Sequence, residues 1–531
     1  MPEITKTPGE KRFSKDGLVW LILAGLALVV YFYGLTIPLV GPDEPRYAQV
    51  AREMYERGDW VTPTLGGFTW FEKPALLYWL EIVSYKLFGV SEFSARFGSA
   101  LFGLGTVASL WILGRSITSR WPERARESRL ELANTLALVA ASTLGLIVFS
   151  HGASFDIILT FPMTAAMVSF FVSDTSSERK KLSLLCFYFF VGVALLAKGL
   201  VGIVFPAAIV CFYYLLSWRP PDKKFILSLL WGTFVTIAVA AVWYVPVYQR
   251  NGYAFIDEFI IQHHFQRFTS NKYFHPQPFY FFFWVLPLMT IPWLPFFLAA
   301  LWTTGKGMLH RRDAETQRKE WSEPGEERQA GATASASYVV RRSATPLLRF
   351  LLAWMLVPLV FFSFSGSKLP GYILPAVPPA IVFAAVFVWQ FAWGNELRKL
   401  VAKAIAGATF LIIIALLLFV VPRFAEGDSV KGLIAAANGR GFVDAKVLSM
   451  HTLSHNAEFY AAGRLVREGD GKQRKFLGPL EVLEEMRREG NKPVLVLIPL
   501  EYSKQLTESR DFRGEAIKDN GEIAIVAVTP N

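Results

Sequence analysis

Cysteine is almost missing from this chain: Cys186 and Cys211 are the only two in 531 residues. Both lie inside apolar runs, which excludes a disulfide framework and a thiolate metal site. Histidine is scarce as well, at seven, and the H-E-x-x-H signature of a helix-borne zinc site does not occur. Charge is thin: Asp, Glu, Lys and Arg make up 18% of the residues, below the share usual in soluble domains. No internal repeat is found, and no matched pair of broken apolar segments, which argues against a transporter built from two related halves.

Apolar sequence takes the place of charge. Hydrophobic residues reach 53%, with 45 Phe and 16 Trp, and the mean hydropathy is +0.36. Runs of about 20 apolar residues, the length that crosses bilayer hydrocarbon, return along the chain. The fold class is therefore a polytopic α-helical membrane protein. Spans are expected near 18–40, 96–114, 133–150, 157–173, 182–197, 200–217, 225–247, 279–303, 346–363, 372–392 and 404–422, about eleven in all. The first exits into GPDEPRYA rather than a small-residue cleavage site, so it reads as a retained helix.

The net charge of +11 does not call for nucleic acid. Its excess Lys and Arg fall in segments 1–17, 115–132, 174–181, 218–224, 304–345 and 393–403, as expected of cytoplasmic loops. That pattern puts the N-terminal segment 1–17 in the cytoplasm. Residues 41–95, 151–156, 248–278 and 364–371 then share the outer face, and an odd span count sends 423–531 there too. Segment 304–345 carries GATASAS among charges and reads as a flexible linker. Residues 423–531 change character. AKVLSM, PVLVLIP and EIAIVAV read as strands and PLEVLEEMRREG as an amphipathic helix, giving a small C-terminal α/β domain.

Outer loop 41–95 holds Asp43, Glu44, Arg46, Arg52, Glu72 and Lys73 between apolar helices. Charges pinned at a membrane boundary are site candidates. A helix is expected over Arg46–Met54, its apolar face made by Tyr47, Val50, Ala51 and Met54. Asp43 just ahead of it fits a helix cap equally well; the second acid, Glu44, tips the reading toward chemistry. Glu72 and Lys73 of F-E-K-P lie where Pro74 can open a helix. Lys73 suits a lipid phosphate there, and a snorkelling interface pair fits as well. Asp156, in S-H-G-A-S-F-D, heads the fourth span as a cap or faces a cavity shared with Asp43. In D-E-F-I-I-Q-H-H-F-Q-R-F (257–268), two His beside two acids raise a metal, yet no H-x-x-x-H spacing is present there. Arg267 is better placed as a phosphate clamp, because a planar guanidinium grips oxyanions with two bonds. Lys368, in S-G-S-K-L-P-G-Y, can reach an anion from a polar turn, and Lys198 stands alone between two apolar runs on the same side.

These residues resemble the lipid-linked-sugar glycosyltransferases of the GT-C superfamily, above all the aminoarabinose lipid A transferase group and the related protein O-mannosyltransferases. The resemblance lies in GPDEPRYAQVAREMYERGDWVTPTLGGFTWFEKPALLYW (41–79), SHGASFDIILTFPMTAA (150–166), AKGLVGIVFP (197–206), HHFQRF (263–268) and SFSGSKLPGYILPAVPP (363–379). It covers the membrane portion and leaves 423–531 without a motif. It implies a GT-C catalytic domain over 18–422, of eleven or more spans with outer juxtamembrane helices. The implied reaction is inverting transfer of a sugar from a polyprenyl-phosphate donor, such as undecaprenyl phosphate, to a lipid A-type or other envelope acceptor. The implied place is the outer face of a bacterial inner membrane.

The same resemblance implies residue roles. Asp43 and Asp156 are the catalytic acids. Lys73, Arg46, Arg267, Lys368 and Tyr372 bind the donor phosphate. Glu72 and His264 would hold a divalent ion, zinc or magnesium, with His263 able to claim the same place. The partners are the donor, the acceptor and membrane lipids, with no nucleic acid. Rival readings are a protein O-mannosyltransferase-like enzyme and a flippase or transporter for lipid-linked sugars.

Overall fold

The structure, a computed structural model, describes residues 15–118, 126–176, 180–266, 276–318 and 332–531. Ten helices open the chain: α1 (Lys15–Phe32), α2 (Asp43–Arg57), α3 (Leu76–Phe88), α4 (Glu92–Ile117), α5 (Arg126–Ala141), α6 (Leu144–Ser150), α7 (Phe155–Thr175), α8 (Lys180–Lys198), α9 (Val201–Ser217) and α10 (Lys223–Asn251). Helices Phe281–Met289, Leu294–Arg318, Ala332–Ser363, Val377–Ala392 and Glu396–Phe419 follow. Among the described residues, seven helices are long and apolar enough to cross a membrane, and two bent pairs raise the number to nine. Asp16–Phe32 and Val201–Ser217 are shorter apolar helices.

Three expected spans take a different form. The first helix stops at Phe32 rather than near residue 40. Residues 33–40 form turns, with Gly34 at φ 83, a left-handed backbone that suits glycine. The expected spans 133–150 and 279–303 are both broken, at 56° between α5 and α6 and at 118° between Met289 and Leu294. The two breaks face each other. Leu144 N donates to Ile291 O at 2.8 Å, and Trp293 Nε1 donates to Ser142 Oγ at 3.0 Å. Broken backbone at this depth persists only where other protein groups meet its freed N–H and C=O. The linker expected over 304–345 is helical as far as Arg318 and again from Ala332; 319–331 lies outside the described residues.

Glu396–Asp428 has 17% of its span buried, whereas Pro370–Ala392 has 83% and helix α7 78%. Helices α9 and α10 both pack on α8. Small residues allow the close approach: a side chain on Gly202 would meet the Ala194 backbone at 2.3 Å, and one on Gly192 would meet Thr236 O at 2.9 Å.

Helices α2 and α3 are short and lie against the bundle. Tyr47, Val50, Ala51 and Met54 are buried, the apolar face expected from their spacing. Helix α2 starts three residues earlier than expected, and it ends at Gly58, left-handed at φ 65. Between α2 and α3, strands β1 (Thr64–Leu65) and β2 (Phe68–Thr69) pair antiparallel. Glu53 holds that hairpin, accepting from Thr64 Oγ1 at 2.7 Å and Gly66 N at 2.6 Å.

Residues 446–529 carry a five-stranded sheet of β3 (Lys446–Met450), β4 (Lys475–Phe476), β5 (Val494–Pro499), β6 (Arg513–Asp519) and β7 (Ile523–Thr529). The order is β4-β3-β5-β7-β6, parallel at β3 and antiparallel at β7. Helix Pro479–Arg488 packs on one face through Val482 and Met486, and Lys431–Gly439 covers the other through Leu433 and Ile434. Burial on both faces explains why these strands read as unbroken apolar runs. This unit docks on the segment that follows α1 and on the start of α4. Tyr460 OH accepts from Leu39 N at 2.8 Å and donates to Glu92 at 3.1 Å, and Lys431 pairs with Glu92 at 2.6 Å.

Candidate functional site

A cavity of about 440 Å³ opens where α2, the 71–74 segment, the head of α7, the end of α8 and the 365–372 turn meet. Asp43, Glu44, Glu72, Lys73, Asp156, Lys198 and Tyr372 all line it. Four separated stretches chosen on sequence thus share one space, together with a lysine noted there only as a solitary charge.

Asp43 sits in the first turn of α2, behind Pro42, and makes no cap bond. Its carboxylate receives the Arg46 guanidinium one turn on. Arg46 Nε also donates to Pro42 O at 2.8 Å, and the guanidinium lies 5.8 Å from the Trp70 ring centroid. Burial works to lower the Arg46 pKa, but the Glu72 and Asp43 carboxylates hold it above its ordinary value. Tyr47, one residue on, is pushed up by burial and then by Glu72 and Asp43. Both shifts place Glu72 and Asp43 within electrostatic reach of the same two side chains.

Glu44 has a different task. Arg96 of α4 grips it with two bonds, 2.6 Å from Nε and 2.8 Å from Nη2. Glu44 also accepts from Val40 N at 3.3 Å and Ala153 N at 2.9 Å. Arg96 in turn donates to the carbonyls of Leu35, Ile37 and Pro38. One buried pair therefore ties the exit of α1, the start of α2 and the loop before α7 to α4. With its lone pairs and protons bonded, such a pair tolerates removal from water. Sequence reading missed Arg96; a lone charge at the mouth of an apolar span was the available signal.

The F-E-K-P segment runs ahead of α3, whose cap is Ala75 and whose first residue is Leu76. Glu72 and Lys73 therefore precede the helix mouth at which they were expected. Lys73 Nζ donates to Glu72 Oε1 at 2.9 Å, and both side chains are mostly buried. Phe71 is fully buried, its ring edge-on to Phe255 at 5.4 Å, and its N–H donates to Glu258 Oε1 at 3.2 Å. Glu258 thus positions this segment.

Asp156 follows Ser154, which caps α7 by accepting from Asp156 N at 3.2 Å. The Asp156 side chain is free of that duty and pairs with Lys198 at the end of α8. Lys198 Nζ lies 5.0 Å from the Tyr372 ring centroid. Asp156 Oδ2 crowds the 365–372 turn so closely that a side chain on Gly371 would approach it to 2.0 Å.

Lys368 departs from its expected role. It is buried, does not line the cavity, and donates to Ser365 O at 2.6 Å and Gln277 O at 3.1 Å. Its ammonium holds the turn in place. Arg267 and the side chains of His263 and His264 lie outside the described residues. Among the described residues no group of three His, Cys, Asp or Glu could hold a metal, and the Lys73 ammonium already sits on Glu72. The His264 half of the expected Glu72–His264 set lies outside the described residues.

Fold and site together define a polytopic helical membrane protein whose fold is similar to that of ArnT. The chain matches ArnT from Cupriavidus metallidurans bound to undecaprenyl phosphate with a TM-score of 0.71 at 22% identity, over 97% of this chain and 98% of that one. The apo form of the same protein gives 0.73 at 21%. A family profile described as dolichyl-phosphate-mannose-protein mannosyltransferase matches residues 20–251.

The undecaprenyl phosphate-alpha-4-amino-4-deoxy-L-arabinose arabinosyl transferase of Aeromonas hydrophila is 29% identical over 418 residues, 77% of this chain and 68% of that one. Its counterpart in Yersinia enterocolitica is 30% identical over 415 residues, 75% and 65%. The chain thus spans about two thirds of the length of these relatives. It is similar to the aminoarabinose transferases over about three quarters of its length and, over residues 20–251, to the protein mannosyltransferase profile, the two groups its motifs resemble.

Proposed function

We propose that this protein is an inverting glycosyltransferase that takes a sugar from an undecaprenyl-phosphate donor. It passes the sugar to a lipid A-type or other envelope acceptor at the outer face of a bacterial inner membrane. The observation that carries this reading is the single cavity joining Asp43, Lys73 and the Asp156–Lys198 pair. In this reading the donor phosphate lies against Lys73 and Lys198. Cations fixed where leaving-group charge develops are the usual large contribution to such a step. Asp43 orients or deprotonates the acceptor hydroxyl. The hydroxyl oxygen bonds to the anomeric carbon, the carbon–phosphate-oxygen bond breaks, and polyprenyl phosphate departs. Tyr372, with Lys198 against its ring, walls the donor side.

A second, apolar cavity of about 1110 Å³ runs along α9 and α10 over α8, from Arg219 to Phe259. Phe259 borders both cavities, which gives an isoprenoid chain a lipid-facing path beside the phosphate. The reading includes eleven crossings over 18–422, a cytoplasmic N-terminus and 423–531 on the outer face. Seven single helices, two bent pairs and two shorter apolar helices support that count.

The mannosyltransferase profile over 20–251 favours a second reading, transfer to a protein hydroxyl. One assay separates the two. Full-length protein in proteoliposomes receives radiolabelled undecaprenyl-phosphate aminoarabinose and either lipid A or a Ser/Thr-rich acceptor protein. Label on lipid A supports the first reading, and label on protein the second. Donor that crosses the bilayer uncleaved contradicts both.

A further inference from the structure

Away from the catalytic cavity, a cleft of about 1220 Å³ lies between the outer ends of α1 and Glu396–Phe419 and the C-terminal unit. Its lower wall is apolar, made by Phe32, Ile37 and Leu418 among others, and its upper rim carries Arg423, Lys431 and Lys518. The lower wall belongs to an exposed helix: Leu418 is 46% exposed, and Phe424 beside it, outside the cleft, 69%. The cations need an explanation. The positive-inside rule accounts for basic residues on the cytoplasmic side, and this rim sits on the opposite side, beside the outer loop that Lys431 contacts through Glu92.

Local structure aims the cations inward. A register irregularity in β6 between Ala516 and Lys518 is the kind of bulge that redirects a side chain. Gly432 leaves room for the Lys518 ammonium, which would come within 3.5 Å of a side chain there. Asn520 pins the β6–β7 turn over the cleft by donating to Gly427 O at 2.8 Å and Ser429 O at 3.3 Å. Two acids share the rim, Glu426 and Asp519. Asp519 is used within its own turn, accepting from Gly521 N at 3.0 Å, and Lys431 is used by Glu92. Arg423 and Lys518 make no ion pair among the described residues.

We propose that this cleft binds an anionic glycerophospholipid of the outer leaflet, its chains on Phe32, Ile37 and Leu418 and its phosphate between Arg423 and Lys518. Bound there, the lipid fastens the C-terminal unit to the membrane surface. The proposal rests on the orientation proposed above, with 423–531 on the outer face, and not on the transferase chemistry.

Native mass spectrometry of the full chain tests it, with phosphatidylglycerol and phosphatidylcholine of identical acyl chains as probes. The wild-type protein should retain phosphatidylglycerol roughly tenfold better, an effect expected of two basic side chains at a lipid surface. The double substitution Arg423→Gln, Lys518→Gln should abolish the preference, and Arg423→Lys, Lys518→Arg should keep it. Equal retention of the two lipids, or a preference that survives the glutamine substitutions, overturns the proposal. Displacement of phosphatidylglycerol by equimolar lipid A also overturns it, by assigning the cleft to the acceptor.

Discussion

At the scale of single residues, the site is held by pairs whose members lie far apart in sequence. Asp156 and Lys198 meet across two helices, with Gly371 against the carboxylate. Gly371→Ala would push a methyl group into Asp156 Oδ2, whereas Gly366 of the same turn has open space around it. Sugar transfer should fall at least tenfold in Gly371→Ala and stay near wild type in Gly366→Ala; equal rates in a side-by-side assay would contradict the packing described. Glu81 offers a second test. It is fully buried on α3, neither carboxyl oxygen has a partner among the described residues, and burial, then Glu44, holds its pKa well above the usual 4.5. The native state therefore keeps a proton that the unfolded chain releases, so stability should fall as pH rises above about 4.5 toward the native value. Glu81→Gln should remove that slope and raise the melting temperature at neutral pH. A lower melting temperature with the slope unchanged would sink the idea. The pairings themselves were not legible. Asp43, Lys73 and Asp156 declare themselves as charges beside apolar runs, but nothing local to Arg96 points to Glu44, 52 positions away.

At the scale of elements, helix and strand signals were clear where one face is buried against a fixed environment. The apolar stripe of α2 and the apolar runs of β3, β5 and β7 follow from their residues alone. Strand β6, with Arg513, Glu515, Lys518 and Asp519, escaped notice because an edge strand keeps its charges in water. The breaks at α5–α6 and at Met289–Leu294 escaped because each apolar run looks continuous. The two breaks, some 150 residues apart, meet through one backbone bond, Leu144 N to Ile291 O, and one side-chain bond, Trp293 to Ser142. The F-E-K-P segment depends on a neighbour in the same way. Glu258→Ala would leave the Phe71 N–H without its acceptor, at a cost of about 1–3 kcal/mol for a buried donor. It should raise the KM for donor more than it lowers the melting temperature. An unchanged KM, measured with intact protein, would show that Glu258 does not position Lys73.

At the scale of the whole molecule, the bundle and the C-terminal unit meet at the 39–92 segment. Tyr460, Leu39, Glu92 and Lys431 hold the unit over α2 and α4, and the loop in turn sets Asp43 against the cavity. The apolar cavity beside α8 and the polar one at its outer end adjoin at Phe259, an arrangement suited to an amphiphile with a long chain and one phosphate. The general outline was legible because membrane crossing and charge placement act on composition. The cavity was legible only through its motifs, since no spacing reveals which outer segments converge. The central claim is that acid and cations work in one place on one lipid phosphate. Single-turnover release of undecaprenyl phosphate from radiolabelled donor, in the presence of acceptor, tests it most directly. Asp43→Asn, Lys73→Gln and Lys198→Gln should each slow release by about a hundredfold or more, the scale of losing a positioned proton acceptor or charge, while the folded protein persists. Release at the wild-type rate in any of the three would contradict the account.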